Sequence, residues 1–406
     1  MKKLYTILLL SLIIHSVVAQ EGYLESTVSR NNAYAYKCYT LFNNSDDNLV
    51  ISPFCISTCM AMAYIGSEGK TQDIIAKNMN FITPYGALVG FKELIKGYQT
   101  YKNDDINLLI GNALWSTTKI DLQKKYKNIL KVNFDAHVEN LEFTTNDENS
   151  SKTINRWAKK SSNYSVLSMI KAQNIDKDDK LIFTNYLSLN GNWENPFNEQ
   201  FTSKDDFFEL DSNKVKVDFM NQTSYLKYNE NDVFQIVELP YLGNNLSMII
   251  LLPKQTSSID SIEKMLNSFN FEFWTSELYV KLVNVTIPKF KIEFLQDVST
   301  LLRENGSEIA FSNRADFSRI AKTHVYISKI FQKTSIIVEE NKNNNFTEQI
   351  ITPNQFNADK ENSVLKFKAN RPFLFFIKDN VNQSILLLGK VISPNFNNLS
   401  AEFYNN

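Results

Sequence analysis

Apolar positions along the chain alternate between helical spacing and unbroken runs of strand length, with one long polar interruption near the C-terminal end. Residues 24–42 carry apolar side chains at helical spacing and stop at the turn-like Asn43-Asn44-Ser45-Asp46-Asp47, which predicts a first helix. Asn48-Leu49-Val50-Ile51 reads as a short strand. It runs into a helix with Ser52 as its cap and Pro53, which lacks a donor that would be unpaired there, as its first residue. That helix continues to about Gly66, and further helical patterns run from Gly69-Lys70-Thr71 through Leu94 and Lys96. Residues 106–115 read as strand, and Ile154-Asn155-Arg156-Trp157-Ala158 begins another helix. Residues 180–193 form a long strand with few charges, expected to be covered on both faces and central in its sheet. The runs 234–239 and 246–252 flank Gly243-Asn244-Asn245 as a hairpin, Val283-Asn284-Val285-Thr286-Ile287 alternates at period two, and 298–302 is a short helical pattern.

The interruption follows Ile336-Ile337-Val338, a strand that stops at Glu339 and Glu340. Residues 341–357 are polar, rich in Asn and without period, so they cannot bury enough apolar surface to offset their ordering and are expected to form an exposed loop. Apolar strand runs return at 364–377 and 384–391. A loop longer than about fifteen residues between buried strands is usually functional, so activity is sought here.

Composition narrows the choices. The 406 residues are 43% hydrophobic with 11 Gly and 9 Pro, and no linker, repeat or composition shift divides them, which predicts one large mixed domain. With 43 Lys and Arg against 44 Asp and Glu, no net field is present to hold nucleic acid or an anionic bilayer, and neither is expected as a partner. Met1-Lys2-Lys3, the apolar run 4–18 and the small residues Val17-Val18-Ala19 before Gln20 predict a signal peptide over 1–19 and a soluble, extracellular mature chain over 20–406. Cys38, Cys55 and Cys59 are too few to staple the fold. Cys55 and Cys59 share a helical face as buried thiols, and a bridge from Cys38 to either is the alternative.

Catalytic chemistry is missing. Beyond His15 the chain has only His137 and His324, neither beside a nucleophile motif, and it lacks zinc spacing and a phosphate-cradling glycine loop. It is not expected to be an enzyme or to need a cofactor.

An ordered set of motifs resembles the landmarks of the serpin family. These are Asn48 to Pro53, Asn112-Ala113-Leu114, Ile154-Asn155-Arg156-Trp157, Thr184-Asn185 and Asn190-Gly191-Asn192-Trp193-Glu194-Asn195-Pro196-Phe197. Glu238-Leu239-Pro240-Tyr241, Leu246-Ser247-Met248, Ile287-Pro288-Lys289-Phe290-Lys291, Ala315-Asp316-Phe317-Ser318, Arg371-Pro372-Phe373 and Gly389-Lys390-Val391 follow in order. The resemblance implies a single mixed α and β domain of three sheets and about nine helices, with an exposed reactive-centre loop at about 341–366. It also implies a bait mechanism, in which a serine protease cleaves the loop and is carried off, acyl-linked, as the loop inserts into the main sheet. Ser52, Cys55, Asn185, Trp193, Lys289 and Gln332 would then belong to the region through which that sheet opens, with Lys289 pairing Glu340.

The hinge departs from the family pattern of a glycine followed by small residues. After Glu340 and Asn341 the glycine position is Lys342, the threonine position Asn343, and Asn344, Asn345, Phe346, Thr347 and Glu348 follow. Asn343, Asn345, Thr347 and Gln349 would turn inward, each burying polar groups at about 1–3 kcal/mol if unpaired. Cys55 and Gln332 also stand where the family usually has serine and histidine. Counting seventeen residues from Glu340 puts the bait bond at Phe356-Asn357, suited to a chymotrypsin-like pocket, and counting back from Pro372 puts it at Glu361-Asn362.

Two functions follow, a secreted inhibitor of an extracellular serine protease or a non-inhibitory binding, carrier or storage protein. Glycosylation sequons stand at Asn43, Asn149, Asn163, Asn221, Asn245, Asn284, Asn305, Asn345, Asn382 and Asn398. A monomer is expected. Lys92, Lys96 and Lys102, mixed with acids, read as a solvated face, and a glycosaminoglycan partner is not expected.

Overall fold

Helix α1 (Lys2–Phe42) opens the chain. The structure, a computed structural model, describes residues 2–43, 46–211, 213–341 and 364–394, with the backbone alone for 2–19. The stripe predicted over 24–42 is buried at Val28, Ala35, Tyr39 and Phe42. Strand β1 (Leu49–Ile51) then turns into α2 (Pro53–Gly66) at Ser52, whose Oγ accepts the Cys55 N–H at 3.2 Å. Every residue of α2 is buried, as a helix that is apolar all round requires.

Helices α3 (Gly69–Met79) and α4 (Pro84–Tyr101), strand β2 (Ile106–Thr117), helix α5 (Lys124–Phe134) and strand β3 (Ala136–Leu141) follow. Helix α6 (Glu148–Ser161) begins before the predicted Ile154, because the Asp147 carboxylate accepts the Ser150 N–H at 2.9 Å and caps an earlier turn. Then come β4 (Leu181–Gly191), β5 (Ser203–Phe208), β6 (Lys214–Glu230), β7 (Phe234–Pro240), β8 (Leu246–Pro253), α7 (Ile259–Glu263) and α8 (Ser268–Ser276). The chain continues through β9 (Tyr279–Pro288), β10 (Phe290–Asp297), α9 (Ser299–Leu302), β11 (Ile327–Val338), β12 (Leu365–Lys368), β13 (Phe373–Asp379) and β14 (Ile385–Val391).

These nine helices surround two sheets among the described residues, where three were expected. Strand β6 joins what would be separate sheets: residues 219–228 pair with β9, and its end, 227–230, pairs with β7. One nine-stranded sheet results, in the order β1-β14-β13-β8-β7-β6-β9-β12 with β5 also on β6. The apolar run 364–377 is likewise two strands. Arg371 and Pro372 break it, the Arg371 Nε donating to the Pro253 carbonyl at 2.8 Å while β12 pairs with β9 and β13 lies between β8 and β14.

The second sheet has the order β10-β11-β4-β2-β3. Its β4 is central, as its lack of charge requires, and buries Phe183 and Leu187 toward α2 and Ile182 and Tyr186 toward Ile154 and Ala158 of α6. Helices α2 and α6 therefore cover opposite faces of this sheet at β4.

Candidate functional site

Strands β4 and β11 run parallel, Leu181 opposite Ile327, and after a one-residue bulge between Ile327 and Lys329 they stay in register from Ile182 opposite Lys329 to Leu189 opposite Ile336. Parallel pairing is slightly weaker per residue than antiparallel pairing, and this sheet has two parallel pairs, β2–β3 at its edge and β4–β11 in its interior, so β4–β11 is its internal seam. Asn185 and Gln332 face one another across it. Both reach to the first turn of α2: Gln332 Nε2 donates to the Ser52 carbonyl at 2.7 Å, and Asn185 Nδ2 donates to the Cys55 carbonyl and, at 3.2 Å, to Cys59 Sγ. Ser52 Oγ donates to the Leu386 carbonyl at 2.8 Å, tying the same turn to the larger sheet.

Ser52, Cys55, Cys59, Asn185, Gln332 and Thr334 are all fully buried. Asn185 Oδ1, Gln332 Oε1 and Thr334 Oγ1 have no protein partner. A polar seam with spare acceptors is less well held than an apolar one, since each unmade bond forfeits about 1–3 kcal/mol. Cys38, Cys55 and Cys59 are free and buried, so the Cys38 bridge is absent. Burial pushes the Cys55 thiol up to about 12 against the lowering effect of its Ser52 contact.

Above Leu189 and Ile336 the ladder ends and side chains take over. Asn190 Nδ2 donates to Glu339 Oε1 at 3.1 Å, and the Trp193 indole N–H donates to the Glu339 carbonyl at 2.9 Å. The Asn341 amide meets the backbone of Trp193 twice, accepting its N–H and donating to its carbonyl, both at 3.0 Å. Trp193 stacks on Tyr241 with ring centroids 4.5 Å apart. Lys289 Nζ lies 2.5 Å from Glu340 Oε2, and the Thr202 hydroxyl donates to Glu340 Oε1 at 2.5 Å. Burial pushes the Glu340 carboxyl up, but the Lys289 ammonium and the Thr202 hydroxyl outweigh it and hold the group below the ordinary carboxylate value.

The structure thus brings Trp193, Lys289, Glu340 and Asn341 together at the top of the seam, and Ser52, Cys55, Asn185 and Gln332 at its middle. Lys342, Asn343, Asn344, Asn345, Phe346, Thr347 and Glu348, and both bait bonds, Phe356-Asn357 and Glu361-Asn362, lie outside the described residues. Sequence reasoning missed Thr202 and gave Asn190 and Tyr241, which it quoted only as family landmarks, no role here, because the partners of all three are distant in the chain. Among the sequons, Asn149 and Asn163 are exposed, whereas Asn221 and Asn284 hydrogen-bond each other across β6 and β9 at 3.1 Å and the Asn382 amide is held by Asp379 at 2.9 Å. Asn43, Asn245 and Asn305 are half-buried, and Asn345 and Asn398 lie outside the described residues. His137 Nε2 sits 2.8 Å from Glu139 Oε2 with its ring centroid 5.0 Å from that of Trp115, and His324 is exposed.

A concavity of about 720 Å³ lies elsewhere, between α1, α8 and the strands β6, β7, β9 and β13, lined by Tyr36, Lys227, Glu238, Phe271, Val280 and Lys378. Burial lowers the affinity of the Lys378 amine for its proton.

Comparison with known proteins places these features in context. The family model described as serpin (serine protease inhibitor) matches residues 29–394. An uncharacterised serpin-like protein of Methanosarcina acetivorans is 32% identical over 378 residues, covering 90% of this chain and 87% of its own. Serpin B11 of Homo sapiens is 30% identical over 375 residues, covering 87% and 95%. Native protease nexin-1 with heparin superposes with a TM-score of 0.81 at 25% identity, over 91% of this chain and 99% of that one. Uncleaved ovalbumin superposes with a TM-score of 0.83 at 21% identity, over 91% and 100%, a likeness of fold alone. The nexin structure overturns the expectation that a glycosaminoglycan is not a partner, since a protein of this fold was solved with one. That expectation rested on charge balance and on acids near Lys92, Lys96 and Lys102, whereas a polyanion reads the local field of a patch.

Proposed function

Because the chain belongs to the serpin family, whose members are typically non-catalytic inhibitors rather than enzymes, we propose that it is a secreted inhibitor of an extracellular serine protease. The parallel adjacency of β4 and β11 carries this reading. A chain that leaves the C-terminal end of β11 and folds back into the seam runs antiparallel to both strands. Insertion therefore replaces one parallel pairing by two antiparallel ones, a gain in ladder bonds and in stability per bond.

In this reading the protease serine oxygen attacks the carbonyl of Phe356, the bond to Asn357 breaks, and the ester-linked protease travels with the inserting loop. The inward polar residues Asn343, Asn345, Thr347 and Gln349 slow insertion, so hydrolysis of the ester competes and more than one inhibitor is consumed per protease trapped. A signal peptide over 1–19 and glycans at exposed sequons such as Asn149 and Asn163 belong to the same proposal. A sulfated polysaccharide is a candidate cofactor by analogy with protease nexin-1, with Lys92, Lys96 and Lys102 exposed on and just after α4.

The test is incubation with chymotrypsin-like serine proteases followed by electrophoresis in boiling detergent. A covalent band at the summed mass is expected. Loop cleavage without that band, and without a rise in melting temperature, would favour the second reading, a non-inhibitory binding or carrier protein. The observation behind that second reading is the concavity of about 720 Å³ with Lys378 on its wall.

A further inference from the structure

We infer that the Asn341 side chain is a latch on the top of the β4–β11 seam, an amide standing in for one residue of a missing strand. Beyond Leu189 and Ile336 no backbone ladder joins the two chains. Trp193 pairs on its other side with Tyr241 in an isolated antiparallel bridge. On the seam side its N–H and its carbonyl are both taken by Asn341, at 3.0 Å each. A carboxamide carries its acceptor and its donor on separate atoms, C=O and N–H, as a peptide unit does in a strand. Asn341 is itself buried, so water cannot substitute freely for either bond.

A strand added at this point must take over the same N–H and carbonyl of Trp193, and so must displace the Asn341 amide first. The Trp193 indole bond to the Glu339 carbonyl and the Asn190 bond to Glu339 Oε1 hold the segment bearing Asn341 against β4 while the latch is closed. Opening is thereby limited by a local event of two hydrogen bonds rather than by separation of the whole ladder. Asn341 is a positioning residue for insertion, and this inference rests on the proposed loop-insertion reading for its purpose though not for its geometry.

Native-state hydrogen exchange on the whole chain with Asn341→Ala tests it. Losing two buried bonds of ordinary strength is expected to speed exchange at the Trp193 amide about tenfold to a hundredfold. Amides in the β7–β8 hairpin, such as that of Ile249, are expected to keep their rates. Unchanged exchange at Trp193, or an equal rise in both places, overturns the latch, the second because it marks global destabilisation. Where Asn341→Ala does not fold, Asn341→Ser, which keeps one hydroxyl, is read the same way with a smaller factor. The melting temperature of loop-cleaved wild type separates the two readings. If cleavage raises it and Trp193 exchange does not respond to Asn341→Ala, the latch fails and insertion stands. If cleavage leaves it unchanged and Trp193 exchange does respond, insertion fails and the latch stands.

Discussion

Replacing Lys289 by methionine keeps the aliphatic stem and removes the cation that, among the described residues, meets Glu340. The two charges are 2.5 Å apart, with the Glu340 side chain 9% exposed and the Lys289 side chain 26% exposed. A hydrogen bond to a charged group contributes about 1.5–3 kcal/mol, and stripping one partner from a fully buried pair costs about 3–5 kcal/mol. The Thr202 hydroxyl still serves Glu340 Oε1, and partial exposure of the lysine side admits water, so Lys289→Met is expected to cost about 2 kcal/mol at pH 7. At about 2 cal/mol/K of unfolding entropy per residue, a chain of this length loses about 2–3 °C of melting temperature.

Glu340→Gln removes the charge that needs the cation, so the double variant should recover most of the loss. A double-mutant cycle in urea is expected to give a coupling of about 1.5–2 kcal/mol. The pH dependence has a fixed sign. The folded carboxyl lies below its unfolded value, so its contribution is complete above the unfolded value and is lost as pH falls through the folded one. The gap between wild type and Lys289→Met should therefore close below about pH 4. A coupling under about 0.3 kcal/mol that does not change with pH would refute the reasoning and leave two independently solvated charges.

Three further outcomes follow from the same structure. Because Cys38, Cys55 and Cys59 are buried and burial raises each thiol, an aromatic disulfide reagent should modify none of them until denaturant is added; rapid reaction in buffer would contradict the placement. Gly389→Ala would put its Cβ 2.1 Å from the Leu49 carbonyl oxygen and 2.8 Å from the Phe375 ring, so a loss of about 3 kcal/mol is expected in urea unfolding, and a near-neutral result would mean that β1 does not pair there. Gln332→Leu removes a bond to the Ser52 carbonyl but also an unpartnered buried acceptor, and that carbonyl keeps the Ile56 N–H at 3.2 Å, so the change should stay within about 1 kcal/mol by the same assay; a larger loss would assign Gln332 more of the seam's strength.

Much of the frame was legible in local signals. Ser52 and Pro53 mark the start of α2 because a cap and a prolyl first residue act within one turn, and the uncharged 181–189 stretch reads as central because both its faces are covered. The Gly243-Asn244-Asn245 turn between β7 and β8 is equally local. The joined sheet was not legible, since β6 changes partner along its length and its burial follows whichever neighbour it meets. The site divides the same way. Asn341 stood among the hinge residues by position, but its partner Trp193, just past the end of β4, lies 148 residues earlier in the chain. Thr202 and Asn190 carry no neighbouring pattern that would mark them as partners of Glu340 and Glu339.

If this is an inhibitor, the β4–β11 seam must accept the loop. Cutting the chain between residues 342 and 363 with a protease that the loop does not trap, then following thermal unfolding, tests this without reference to any target. Insertion predicts that the nicked protein, its two pieces still associated, melts well above the intact one, because the added strand pairs with both β4 and β11. A nicked protein that melts at or below the temperature of the intact chain would contradict it.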